Sequence, residues 1–169
     1  MRAGDSAAFW TFSLDVYGRP GVREACLALQ DEAGLDVNLL LYCLWRAARG
    51  VPLTEAELAA RRDAAAPWTE AAIVPLRVLR RGLKTPPPRL PADAAKAIAA
   101  RVGEIELAAE RTAQELIVES APEPAPEPAG ASRGHDVPAL AKAHLRLYAR
   151  MSDCGPDRQE FGILAATLA

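Results

Sequence analysis

Residues 34–45 read GLDVNLLLYCLW, and this stretch decides the fold. Between Val37 and Trp45 the only strongly polar side chain is that of Asn38. A helix over such a run carries apolar side chains on every side, which is typical of a helix enclosed by other elements. The run is only about half as long as a membrane span, which takes about 20 apolar residues. The stretch therefore predicts a buried central helix over 37–49.

Helix-ending and helix-capping residues flank this helix on both sides. Gly34 fits the left-handed position that ends a preceding helix, since glycine has no Cβ to clash there. Asp36 fits the N-cap, where its carboxylate can accept a hydrogen bond from a backbone N–H of the first turn. Gly50 and Pro52 are expected to end the helix, because proline cannot continue it.

The composition favours helices throughout. Of the 169 residues, 50% are hydrophobic and only 5% are aromatic, and the strong helix formers Ala and Leu supply most of the hydrophobic fraction. No segment shows the alternating polarity of a strand. The net charge of −2 lacks the basic excess of most nucleic-acid-binding domains. The sequence thus predicts an all-α fold, a compact multi-helix bundle around the central helix, with no membrane span.

Turn signals and apolar periodicity predict the other helices. Thr54 and Glu57 form a capping-box pattern, and Pro75 is expected to kink or break the helix that contains it. Asp136 can cap the last long helix. The predicted ranges are about 6–17, 21–33, 55–66, 67–83, 92–119 and 137–152.

Proline-rich segments divide the chain. Residues 1–84 are predicted to form a helical core, and residues 85–91 a stiff connector. Residues 92–169 then hold a long helix (about 92–119), a Pro/Glu/Ala linker over 121–134 and the C-terminal helix, packed on the core or extended as an arm. We expect the long helix to pair with the C-terminal helix, since the linker is long enough for the chain to return.

The long helix carries a predicted packing seam. Apolar or small residues recur there at the 4-3-4-3 spacing of a helix that packs against a partner at a shallow angle. The expected partner is the C-terminal helix or a second copy of the protein. The seam residues are Ile98, Val102, Ile105, Ala109, Thr112 and Leu116.

Cysteine and histidine are too few and too dispersed for a metal cluster. Cys26, Cys43 and Cys154 stand apart, and the first two lie in apolar runs that predict burial. His135 and His144 show no ligand spacing. We expect reduced thiols in a cytoplasmic protein with no metal and no cofactor.

One candidate site lies where the first three helices meet. Trp10, Tyr17, Asp36, Asn38 and Trp45 could line a cleft for a small ligand or a substrate. The alternative is structural: Asp36 and Asn38 would end and begin helices, and the aromatic side chains would fill the core. A buried Asn needs hydrogen-bond partners, so the partners of Asn38 distinguish these interpretations.

Ser13 lies one helical turn before Tyr17. A serine nucleophile needs a base beside it, and neither histidine is close in sequence. We therefore expect Ser13 to lie on the helix surface or to bond a neighbouring helix.

A second candidate site is a basic stripe, defined as Arg77, Arg80, Arg81 and Lys84, which fall at i, i+3, i+4 and i+7 on one helical face. Such a stripe attracts phosphate, nucleic acid or an acidic protein surface, but it also suits a solvated helix C-terminus. Base stacking would need aromatic residues, which this segment lacks. The glutamates over 104–127 could pair with the stripe, within one chain or between two.

The N-terminal third resembles an uncharacterised family of short proteobacterial proteins with a domain of unknown function. The resemblance rests on an FWxFSLxxY block, a CLxLQ segment, a GLDVNLLL block and a following Trp. It implies a helical, cytoplasmic protein and no reaction, cofactor or partner. The matching residues are Phe9, Trp10, Phe12, Ser13, Leu14, Tyr17, Gly21, Val22, Cys26, Leu27, Leu29, Gln30, Gly34, Leu35, Asp36, Val37, Asn38, Leu39, Leu40, Leu41 and Trp45.

The sequence favours a non-enzymatic protein-interaction or adaptor module, which contacts another protein or itself through the basic stripe and the long helix. The first alternative is a small-ligand-binding protein or enzyme with a cleft near Asp36 and Asn38. The second is an anionic partner such as nucleic acid, held by the basic stripe. Catalysis is the less favoured reading, because no catalytic dyad or glycine-rich phosphate loop is present in the sequence.

Overall fold

The computed structural model describes residues 3–86, 91–120 and 136–169. Within these ranges the regular elements are all helical, which confirms the predicted all-α class. The middle of the predicted 85–91 connector and the 121–134 linker lie outside the described residues. The elements are α1 (Ala3–Tyr17), α2 (Val22–Ala33), α3 (Val37–Ala48), α4 (Glu55–Trp68), a π-helical segment (Thr69–Ile73), α5 (Val74–Lys84), α6 (Ala92–Glu119), α7 (Val137–Met151) and α8 (Gln159–Ala166).

Helix α3 is the buried centre of the bundle, as predicted. Every residue from Asn38 to Ala47 is buried. Gly34 ends α2 with φ of 67°, and Asp36 caps α3 by accepting a hydrogen bond of 2.7 Å from the N–H of Asn38. The N–H of Gly34 bonds the carbonyl group of Gln30. These caps satisfy backbone groups that a helix end leaves without a partner. Only three residues therefore separate the end of α2 from the start of α3.

Aromatic rings from α1 and α3 pack together at one end of this core. The rings of Phe9 and Trp45 lie 5.1 Å apart between centroids, and those of Phe9 and Tyr42 lie 5.7 Å apart. Aromatic pairs of this kind contribute about 0.5–1.5 kcal/mol beyond the burial of their area. They fix α1 against α3.

The predicted pairing of the long helix with the C-terminal helix is wrong. Helix α6 packs mainly against α5 and α4, whereas α7 packs against α3. The physical reason is polarity: the α5 arginines meet glutamates on α6, while α7 presents Ala141, Leu145 and Tyr148 to the apolar α3. The Tyr148 hydroxyl also accepts a hydrogen bond of 2.9 Å from the N–H of Asp36.

The predicted seam on α6 is wrong at Ile98 and Ile105, whereas its members Val102 and Ala109 are buried. Ile98 and Ile105 are 50% and 57% exposed. The buried face keeps the 4-3-4-3 spacing but is shifted, since short alanines let α6 approach its neighbours closely. Its residues are Ala95, Ala99, Val102, Glu106, Ala109, Ala113, Gln114, Ile117 and Val118.

A π-helical segment, Thr69–Ile73, joins α4 to α5 without a loop. Pro75 follows it and lacks the N–H that a regular helix would donate to the carbonyl of Ala71. A change of helical register absorbs this loss, and such segments are frequent near functional sites. This change of register decides on which side of α5 the arginines of that helix lie. The expected break at Pro75 is thus a local change of helix type.

No helix in the described parts of the chain combines the length and the apolar character that membrane crossing requires.

Candidate functional site

A cleft of about 550 Å³ lies between α1, α2, α3, α5 and α6. This volume is within the range of small-molecule sites, which is about 300–1,000 Å³. Its apolar lining consists of Trp10, Leu14, Leu27, Val37, Leu41, Leu107 and Gly103, and its polar and charged lining of Ser13, Tyr17, Arg23, Gln30, Asn38, Arg77, Arg80, Arg81, Glu106, Glu110 and Gln114.

Two leucines mark where the cleft opens. Leu14 on α1 and Leu107 on α6 are 51% and 52% exposed, although both line the cleft. Leu41 on α3 is 4% exposed and lies at the buried side. The cleft therefore runs from the surface, where these two leucines lie, down to the central helix.

Asn38 forms the polar end of the cleft and has both of its amide groups bonded to α6. Its Nδ2 donates to Oε2 of Glu110, and its Oδ1 accepts a hydrogen bond of 3.0 Å from Nε2 of Gln114. A buried amide with satisfied groups contributes stability and specifies geometry. Asn38 thus links α3 to α6 and lines the cleft, so it serves the structure and faces the site at once.

Three lining residues carry buried side-chain atoms that have no hydrogen-bond partner among the described residues. They are Oγ of Ser13, Oε1 of Gln30 and Oε1 of Gln114. Ser13 and Gln114 are only 3% and 2% exposed. An unpaired buried polar group costs about 1–3 kcal/mol, so three of them in one cleft call for an explanation. Ser13 does not make the inter-helix hydrogen bond that its position suggested.

The arginines of α5 form one wall of the cleft, paired with carboxylates. Nη2 of Arg77 lies 2.9 Å from Oε1 of Glu110, and Arg80 holds Glu106 with two contacts of 2.5 and 3.0 Å. Glu106 itself is 7% exposed. Bidentate pairs between Arg and a carboxylate are among the strongest hydrogen-bonded pairs in proteins. They explain why α6 packs on α5.

The basic stripe is therefore divided. Arg77, Arg80 and Arg81 line the cleft, whereas Lys84 is exposed outside its lining. Arg81 reaches α2, with Nη2 2.7 Å from Oδ1 of Asp31. The pairing of stripe arginines with acidic residues within one chain, one of the alternatives for the sequence, is what the structure shows.

Arg23 on α2 adds a cation of a different kind. It is exposed and lines the cleft, and no hydrogen bond or ion pair joins it to another of the described residues. Four arginines and two glutamates line the cleft, so the lining has a formal net charge of +2. The surplus of positive charge favours anionic groups in the cleft.

Burial shifts the pKa of two lining groups. Burial raises the pKa of Glu110, although the hydrogen bond from Asn38 and the charge of Arg77 act in the opposite direction. Burial also raises the pKa of Tyr17, whose hydroxyl therefore stays protonated at neutral pH and can donate a hydrogen bond. The described residues offer that hydroxyl no hydrogen-bond partner.

The predicted cleft residues separate into two groups. Trp10, Tyr17 and Asn38 line the cleft. Asp36 does not, because its carboxylate caps α3 and accepts a hydrogen bond of 3.4 Å from Thr69. Trp45 is 4% exposed within the aromatic cluster, on the α1 side of the core.

Several lining residues escaped sequence reasoning, chiefly Arg23, Gln30, Leu41, Glu110 and Gln114. Arg23, Leu27 and Gln30 fall at i, i+4 and i+7 on α2, a mixed face beside its apolar one. On α6, the correct phase of the small-residue seam includes Glu106 and Gln114. The polar residues within this row of alanines were the sequence feature that could have indicated a site on α6.

The described histidine lies away from this site. His144 is buried between α7 and α3, with Nδ1 3.1 Å from the carbonyl oxygen of Cys43. Cys26 and Cys43 are both buried, as predicted. The titratable groups that line the cleft are carboxylates, guanidinium groups and one phenol, a set suited to binding and orienting a polar molecule.

Comparison with protein families assigns the chain. A family model described as a protein of unknown function (DUF2390) matches residues 8–117, and the chain belongs to this family. This confirms a domain of unknown function. No curated protein and no solved structure matches the chain. All lining residues of the cleft, from Trp10 to Gln114, fall within the matched range.

Proposed function

We propose that this member of a family of unknown function is a small-molecule-binding protein, with its ligand in the cleft between α1, α2, α3, α5 and α6. The carrying observation is that Ser13, Gln30 and Gln114 all line one cleft, and that each carries a buried polar atom to which no described residue bonds. Native proteins pair nearly all buried polar groups. A ligand bound against these side chains can supply the missing partners when the side chains rotate toward it.

The lining also combines the two kinds of residue that a ligand site usually contains, apolar and polar. Apolar side chains such as Trp10, Leu41 and Leu107 provide area, and a few polar groups can fix orientation. Asn38, held by Glu110 and Gln114, keeps the polar end in one geometry. Preorganised groups of this kind lower the entropy cost of binding.

The three tryptophans of the chain make the test direct. Trp10 lines the cleft, Trp45 is buried in the core, and Trp68 donates a hydrogen bond of 2.9 Å to the carbonyl of Ala109 outside the lining. We expect screening of a small-molecule library by NMR on protein labelled with 15N at the indole groups to give compounds that shift the Trp10 signal. The Trp68 signal should shift much less. A screen that leaves Trp10 unmoved contradicts the proposal.

A matched pair of serine variants locates the binding. Ser13→Ala removes an unpartnered lining hydroxyl and should weaken the binding of a hydrogen-bonding compound about fivefold or more, since such a bond contributes about 1 kcal/mol. Ser6→Ala changes the same helix outside the lining and should leave affinity unchanged. Equal affinity of both variants and the wild type argues against Ser13 as a ligand group.

Protein interaction is the second candidate, favoured by the exposed side of α6. Ile98 and Ile105 are two helical turns apart and half exposed, and paired apolar side chains on one helix face suit a partner helix. Analytical ultracentrifugation tests self-association. Glu at both positions should abolish a dimer, whereas Ala100→Glu, elsewhere on the exposed surface of α6, should not. A wild-type monomer at high micromolar concentration contradicts self-association.

Nucleic-acid binding has less support, since Arg77, Arg80 and Arg81 already bond carboxylates of the same chain. Fluorescence polarisation with labelled oligonucleotides tests it. Binding that is strong at about 50 mM salt and lost at higher salt would favour this function.

A further inference from the structure

We infer that the ligand of the cleft is a small organic anion with an apolar body, its acidic group bound by Arg23 and the hydroxyl of Tyr17. This inference rests on the proposed function, because it names the chemical class of the same ligand. Its basis is that some lining groups already bond residues of the chain, whereas others have no such bond among the described residues.

The charged wall separates into engaged and free cations. Arg77, Arg80 and Arg81 each hold a carboxylate of the chain, so an incoming anion would compete with a bond already made. Arg23 holds none among the described residues. A guanidinium without a carboxylate partner, in a lining whose net charge of +2 includes its own, is the group best placed to take an anion.

Tyr17 lines the same cleft as these cations. It is within electrostatic reach of Arg23, Arg77 and Arg80, and its hydroxyl has no hydrogen-bond partner among the described residues. A phenol O–H donates well to a carboxylate or phosphate oxygen. The Arg23 fork and the Tyr17 hydroxyl therefore offer donors to one anionic group at this end of the cleft.

The apolar part of the lining fits an uncharged body. Trp10, Leu41 and Leu107 offer an aromatic face and aliphatic surface, and Oε1 of Gln30 and of Gln114 are acceptors that suit a ligand N–H or O–H. A cationic ligand would meet the surplus of arginines, and like charges in a confined cleft repel. Charge and shape together select an amphipathic anion.

A probe series with one body and three head groups tests this class. We use 4-phenylbutanoate, 4-phenylbutanamide and 4-phenylbutylamine, with acetate as the head group alone, and follow the Trp10 indole signal during titration. The acid should bind at least tenfold more tightly than the amide, the amine should bind more weakly still, and acetate should not bind measurably. The affinity of the acid should fall as salt screens the charges.

Arginine variants test where the acidic group of the ligand binds. Arg23→Gln should weaken the acid at least fivefold and leave the amide unchanged, because Arg23 is exposed and its loss breaks no contact of the described fold. Arg101→Gln is the matched control, since Arg101 is exposed on α6 outside the lining and should change nothing. Glu110→Gln removes a negative charge from the lining and should tighten the acid, an effect of opposite sign that damage to the fold would not give.

The outcomes separate the two proposals. If the amide binds as tightly as the acid, or if only neutral or cationic compounds move Trp10, the anion inference is wrong and the cleft remains a binding site. If the acid binds but Arg23→Gln and Arg101→Gln behave alike, the placement at Arg23 is wrong. If neither these probes nor a broader library moves Trp10, both proposals fail.

Discussion

Helix α3 meets two different environments on its two faces, although both faces are built from the same run of leucines. Toward α7 the packing is filled: Cys43 lies against the backbone of His144, and Tyr148 bonds the N–H of Asp36. Toward α1, α2 and α6 the same helix presents Val37, Asn38 and Leu41 to the cleft.

The difference shows that hydrophobicity alone does not distinguish a core face from a site face. Leucines on both faces are almost fully buried. The site face differs because its neighbours α2, α5 and α6 contribute polar and charged residues to the lining of the cleft. The four predictions that follow test this contrast, from the largest expected effect to the smallest.

Two adjacent leucines give the largest effect. Leu40 is fully buried and lies one turn before Cys43, whereas Leu41 lines the cleft. Leu40→Ala should cost about 3–5 kcal/mol of unfolding free energy, because it leaves a closed cavity. Leu41→Ala should cost about 2 kcal/mol, the transfer term alone, because the space it leaves joins an open cleft. Urea denaturation of both variants measures the difference, and equal losses would contradict an open cleft.

Two tyrosines repeat the comparison with hydroxyl groups. Tyr148→Phe removes the acceptor for the N–H of Asp36 and should cost about 1 kcal/mol. Tyr17→Phe removes a hydroxyl that no described residue bonds, so the unfolding free energy should change by only a few tenths of a kcal/mol. The same denaturation experiment measures both, and a larger loss for Tyr17→Phe would show a structural role for that hydroxyl.

Ser13→Ala should raise stability rather than lower it. The Ser13 hydroxyl is buried without a partner, so its removal should recover up to about 1 kcal/mol. Thermal unfolding of the free protein checks the sign. A clear loss of stability would mean that the hydroxyl is bonded in solution and would remove one of the three atoms on which the binding proposal rests.

The smallest effect is a pH dependence from the filled face. Burial lowers the pKa of His144 below its ordinary value of 6.5, and the proton on Nδ1 serves the carbonyl of Cys43. The unfolded chain therefore takes up a proton at higher pH than the folded one. The stability contributed by neutral His144 is fully present above about pH 6.5 and is lost as the pH falls below that value.

The pair of histidines provides the control for this dependence. The chain has two His residues, so His144→Gln should flatten the change in unfolding free energy between pH 7 and 5, and His135→Gln should retain it. A dependence that follows His135, or that persists unchanged in both variants, would contradict the assignment to His144.

The limits of α2, α3 and α6 could be predicted closely, because helix ends depend on a few neighbouring residues. Gly34, Asp36, the Thr54–Glu57 capping box and Asp136 all act as expected. The phase of α6 could not be predicted from the size of its apolar residues. The isoleucines suggested one face, but close packing with α5 favours the alanine face, and ion pairs to Arg77 and Arg80 allow glutamates beside it.

The candidate site could be predicted only in part, for the same reason. The sequence predicts Trp10, Tyr17 and Asn38 where the first three helices meet, and they do line one cleft. The sequence predicts a separate surface for the arginines of the basic stripe, yet Arg77 and Arg80 form the opposite wall of this cleft. Nothing local in α5 shows that its cations face inward toward α6.

The sequence by itself determined that this protein is helical, where its central helix begins and ends, and that this helix is buried, because caps and apolar runs act over a few residues. The tertiary structure alone decided that α7 covers one face of α3 and that a cleft opens on the other. That cleft depends on contacts between distant residues, such as Asn38 with Gln114 and Arg77 with Glu110. Such contacts form only when whole helices pack, since the energy that selects them comes from burial and charge pairing across the bundle.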